Sequence, residues 1–68
     1  MTDLEKFIKL FDFGNVKQIT PTRIDVRCRN LEYGTALATR LINKHKLKLK
    51  VHNDAEMAAY NAFEIIVL

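Results

Sequence analysis

Thr22-Arg23-Ile24-Asp25-Val26-Arg27-Cys28-Arg29 and Lys46-Leu47-Lys48-Leu49-Lys50-Val51-His52 are the two stretches on which the fold is read. Each alternates strictly. Ile24, Val26 and Cys28 oppose Arg23, Asp25, Arg27 and Arg29, while Leu47, Leu49 and Val51 oppose Lys46, Lys48, Lys50 and His52. Successive side chains of a strand face opposite sides, so both stretches predict half-buried strands with one apolar and one basic side. If the two strands share a sheet over one core, Arg23, Arg27, Arg29, Lys46, Lys48 and Lys50 decorate a single face.

The residues between and around them read as helices and two further strand segments. Thr2-Asp3-Leu4-Glu5 fits a capping box, and Leu4, Phe7, Ile8 and Phe11 form one apolar stripe. With Gly14 as a left-handed cap residue, a first helix is predicted over 3–13. Val16-Lys17-Gln18-Ile19 is ambiguous, and Pro21 places that piece at an edge, a bulge or a hairpin connection.

Asn30 is the predicted N-cap of a second helix running to His45, with Leu31, Gly34, Leu37, Ala38, Leu41 and Ile42 on its apolar side. Gly34 inside a helix costs roughly 1 kcal/mol relative to Ala. A close helix–sheet contact and a merely tolerated glycine both account for it. Asn53-Asp54-Ala55-Glu56 predicts a third, short helix of two turns through Tyr60, and Ala62 to Leu68 a strand apolar on nearly both sides, hence interior to a sheet. The helix between the basic strands predicts a crossover that leaves them parallel. The last connection is too short for another crossover, so the terminal strand is expected antiparallel and between them.

The expectation is therefore a single α+β domain over residues 1–68. It is a small two-layer sandwich with a three- or four-stranded mixed sheet, two helices on one face and an open basic face.

Composition narrows the functional classes. The chain has 68 residues, 49% of them hydrophobic and 28% charged, which suits a folded domain and not a disordered segment. A core this small is modest in stability, and dimerisation is a natural supplement. The lone Cys28 forms no internal disulfide, which with the absence of a basic–apolar leader or a membrane-length apolar run predicts a cytoplasmic protein. The net charge of +3 conceals an asymmetry: residues 13–52 carry nine Lys or Arg against Asp25 and Glu32, while both flanks are acidic.

That asymmetry points to an anionic partner, either nucleic acid or an acidic protein surface. The residues expected to contact it are Arg23, Arg27, Arg29, Lys46, Lys48 and Lys50, extended by Arg40, Lys44 and His52. Lysines on edge strands also block unwanted strand pairing, but arginine suits planar contact with phosphate or carboxylate. The basic strands contain no aromatic residue, and no RNP-type, GXXG, helix-turn-helix or zinc-finger pattern occurs. Contact with the nucleic-acid backbone is thus expected in preference to base reading. Tyr33 and Tyr60 flank helices and are assigned no role.

His45, His52 and Cys28 do not form the compact ligand pairs of a zinc site. Neither histidine has a nearby Ser or Cys partner, and the two glycines are too far apart for a phosphate loop. The reading is a non-enzymatic binding module without metal or cofactor. The alternative is a protein-interaction module, a small inhibitor or adaptor, that docks on an acidic surface or self-associates through its apolar last strand.

Overall fold

A computed structural model describes residues 2–68 as three helices and one four-stranded sheet. In chain order these are α1 (Asp3–Leu10), β1 (Asn15–Thr20), β2 (Arg23–Arg27), α2 (Leu31–Lys44), β3 (Leu49–His52), α3 (Ala55–Ala58) and β4 (Ala62–Val67). The class is α+β. The sheet runs β1-β2-β4-β3, and every hydrogen-bonded pair in it is antiparallel.

The expected mixed sheet is corrected at this point. The strands β2 and β3 do run parallel to each other, since both are antiparallel to β4, but β4 separates them and no parallel ladder forms. Its interior position also matches its composition. Ile24 faces Ile65, Val26 faces Phe63 and Val51 faces Ile65 across the ladders. Ile24, Val26, Phe63 and Ile65 are fully buried, and at ~1.5–3 kcal/mol for each large apolar side chain they form the centre of the core.

Both longer helices reach this centre. In α1 the capping box forms as expected, with the Thr2 hydroxyl accepting from the Glu5 N–H and the Glu5 carboxylate accepting from the Thr2 N–H. The helix stops at Leu10, short of the expected residue 13, because Phe11 turns extended (φ −89°, ψ 111°). That turn seats its ring, stacked on Phe7 at 5.2 Å and edge-on to Phe63 at 6.3 Å. Gly14, expected to cap the helix, instead adopts φ +121° in the turn into β1, where a Cβ would collide with the Arg27 carbonyl oxygen. Pro21 and Thr22 then connect β1 to β2 as a hairpin, with a register shift between Gln18 and Thr20.

Helix α2 starts at the expected cap, where the Asn30 side chain accepts from the Tyr33 N–H at 2.9 Å. Its glycine is explained by contact: a Cβ on Gly34 would lie 2.5 Å from the Cys28 Sγ and 3.4 Å from a Phe63 ring carbon. The other end corrects the second basic strand. Lys46 has φ +52°, with its N–H directed to the Asn43 carbonyl and the Leu47 N–H to the Ile42 carbonyl. That is a Schellman cap with Lys46 as its left-handed residue. The strand predicted from Lys46 therefore begins only at Leu49. Likewise β2 ends at Arg27, short of the expected Arg29, and α3 is a single turn capped by Asp54, not the expected two turns through Tyr60.

Two substitutions check these packing claims. Gly34→Ala should lower stability by about 1 kcal/mol, since overpacking outweighs the gain in helix propensity. In a Cys28→Ala background the same change should become neutral or favourable, read by thermal melts as a double-mutant cycle. Lys46→Gly should raise stability by about 0.5–1 kcal/mol by relieving the left-handed strain.

Candidate anion-binding face

Residues paired across antiparallel strands project on the same side, so the registers define the face opposite the core. One row is Lys17, Asp25, Glu64 and His52; a second is Asn15, Arg27 and Ala62; a third is Arg23, Ile66 and Lys50. Arg23 and Lys50 both oppose Ile66, so β2 and β3 present their basic sides together even though they are not neighbours. Lys17 joins them, a residue hidden from sequence reading because β1 itself was ambiguous.

Five of the other expected contacts lie outside these rows. Arg29 follows the end of β2 in a bend, exposed. Lys46 is the cap residue of α2 and Lys48 precedes β3. The Lys48 N–H donates to the Asp3 carboxylate at 2.7 Å, and its carbonyl accepts from Leu68, which ties this segment to α1 and to the chain end. Arg40 and Lys44 are exposed on α2, the helix that meets Cys28 and Phe63 on the apolar side.

The face is also less purely basic than its alternation implies. Glu64, on the strand read as apolar, is almost buried and takes two partners: Arg23 Nε at 3.2 Å from Oε2, and His52 Nδ1 at 3.4 Å from Oε1. The Arg23 contact is an ion pair without hydrogen-bond alignment, since Arg23 Nε and Asp25 Oδ1 are both buried without a hydrogen-bond partner. Asp25 stands directly opposite Glu64, a like-charged pair that the flanking Arg23 and Lys17 offset. Four cations, Lys17, Arg23, Arg27 and Lys50, thus share the face with two central carboxylates, and Glu64 takes Arg23 and His52 as partners.

Two open depressions flank Arg27. One, about 360 Å³, lies over β1 and β2 between Lys17, Ile19, Asp25 and Arg27, with the small Ala62 at its floor. The other, about 310 Å³, lies beyond the strand ends and is lined by Gly14, Asn15, Arg27, Arg29, Tyr60 and Asn61. Tyr60, which by sequence only flanks a helix, therefore lines one depression with two arginines.

Cys28 is buried and its thiol donates to the Asn30 carbonyl at 3.4 Å; burial pushes its pKa up. A thiol held protonated against Gly34 is a packing residue. Among the described residues no helix is long and apolar enough to cross a membrane.

Glu64→Gln tests the central carboxylate. It should cost about 1 kcal/mol of stability through the weakened Arg23 pair. The same change should tighten binding to a polyanion severalfold, since one negative charge leaves the face and Arg23 is released; titration against heparin or duplex DNA at low salt measures it. Comparison with protein-family models, curated proteins and solved structures gives no significant match to this chain.

Proposed function

We propose that this chain is a non-enzymatic, cytoplasmic binding module, acting as one domain, whose polar sheet face docks on an anionic partner, most simply the backbone of a nucleic acid. The observation that carries the reading is the shared row of Arg23, Ile66 and Lys50, which sets the basic sides of β2 and β3 on one surface. The arrangement suits a two-layer sandwich. Phe11, next to α1, and Gly34 of α2 both meet Phe63, on the apolar side of the sheet, and the opposite side is left to solvent and partner.

Lys17, Arg27 and Lys50 are the working cations of the sheet, with Arg29 beside them beyond the end of β2. None of these four is in an ion pair among the described residues. Arg23, His52 and Glu64 form the fixed centre around which they stand. Each phosphate neutralised releases counterions, so affinity falls with salt.

A second reading, docking on an acidic protein surface, draws on the two carboxylates within the face. A patterned surface meets alternating charges with greater specificity than a uniform row of phosphates does. Self-association through β4 would lack a free edge, because β4 is paired on both sides; strand addition would have to use β1 or β3.

Salt titration tests the primary reading. With about four phosphates contacted, log K on duplex DNA should fall with log salt at a slope of about −3.6. The double variant Arg27→Glu, Lys50→Glu should flatten that slope by about 2. Absence of binding to any nucleic acid at low salt, alongside nuclease-resistant capture of one stoichiometric protein, would transfer the assignment to the second reading.

A further inference from the structure

The depression beyond the strand ends has a composition unlike the rest of the polar face. Among the described residues, the only charged ones lining it are Arg27 and Arg29, with no carboxylate. Neither arginine is in an ion pair among the described residues, whereas Arg23 is held by Glu64. Tyr60 is 66% exposed. The contrast with Tyr33 is informative, since that ring packs edge-on to Phe13 at 4.8 Å.

Backbone hydrogen bonds bring the two segments that carry these residues together. Tyr60 and Asn61 donate their N–H groups to the Met57 and Ala58 carbonyls, which closes the single turn of α3. Asn61 then adopts φ +57°, a left-handed conformation that asparagine tolerates well, and redirects the chain into β4. Its carbonyl accepts from the Cys28 N–H at 3.0 Å. That bond joins the Tyr60 loop to the residue between Arg27 and Arg29. Gly14 also lines the depression, packed so closely on the Arg27 carbonyl that a Cβ would collide with it.

An exposed tyrosine that lines one depression with two arginines, neither in an ion pair among the described residues, matches the chemistry of one unstacked nucleotide. The arginines take the phosphate in planar, charge-assisted contact, and the ring offers a stacking surface to the base. Bases inside a duplex are already stacked and are not available to such a ring, so the feature selects single strands. We infer that Tyr60, Arg27 and Arg29 form a nucleotide subsite that gives this chain a preference for single-stranded nucleic acid over duplex. The inference rests on the nucleic-acid reading above and refines it from backbone contact to backbone contact with one stacked base.

The test uses the full chain with a fluorescently labelled single-stranded oligonucleotide and the duplex of the same sequence. The wild-type protein should bind the single strand more tightly. Tyr60→Ala should weaken single-strand binding roughly tenfold or more and leave duplex binding unchanged, while Tyr60→Phe should retain the preference. The chain has two tyrosines and no tryptophan, so in a Tyr33→Phe background the intrinsic fluorescence reports Tyr60 alone, and it should be quenched by the single strand only. Equal binding of both forms, or a Tyr60→Ala effect of the same size on each, overturns the subsite and leaves the backbone reading standing. Failure of the wild-type protein to bind either form overturns both. Circular dichroism of Tyr60→Ala establishes that the fold persists, as expected for a side chain this exposed.

Discussion

The insertion of β4 between β2 and β3 is the constraint on which the remainder depends. One strand supplies the inner partners of two ladders, and its Phe63 and Ile65 are fully buried in the core. Phe63 meets Phe11 just past the end of α1, and Gly34 of α2 packs against both Phe63 and Cys28, the Cys28 Sγ lying where an added Cβ would approach to 2.5 Å. The close approach of α2 to Cys28 and Phe63 is possible because that position has no Cβ. Interiors packed at this density have little capacity to absorb an added methyl group.

The same insertion creates the polar surface. Two strands that never touch present their basic sides together because each keeps register with β4. The middle strand also brings Glu64 into the field, directly opposite Asp25 and between Arg23 and His52. The central carboxylates lower the potential that the alternation alone would produce. Glu64 also pairs with Arg23, which leaves Lys17, Arg27 and Lys50 as the cations of this face outside any ion pair among the described residues. Beyond the strand ends no carboxylate intervenes, and there Arg27, Arg29 and Tyr60 share one depression.

Local chemistry made much of this legible in advance. The Thr2–Glu5 capping box, the Asn30 cap, the hairpin role of Pro21 and the half-buried β2 each follow from interactions within a few residues. The misreadings also have physical causes. Alternation from Lys46 to His52 is compatible with a longer strand, but the carbonyls at the end of α2 require a left-handed residue, and Lys46 serves as one. The first helix stops early where Phe11 turns extended and seats its ring against Phe7 and Phe63, contacts that the helical period does not report.

Periodicity and capping sufficed to determine the α+β class, the order of its elements and the basic sides of two strands, because each depends on contacts close along the chain. The purely antiparallel pairing with β1 at one edge, the common row that joins Arg23 to Lys50, the burial of Glu64 among its partners and the meeting of Tyr60 with Arg27 and Arg29 at one depression were decided only in three dimensions. These features join residues tens of positions apart, and their geometry depends on register and core packing, which no local pattern encodes.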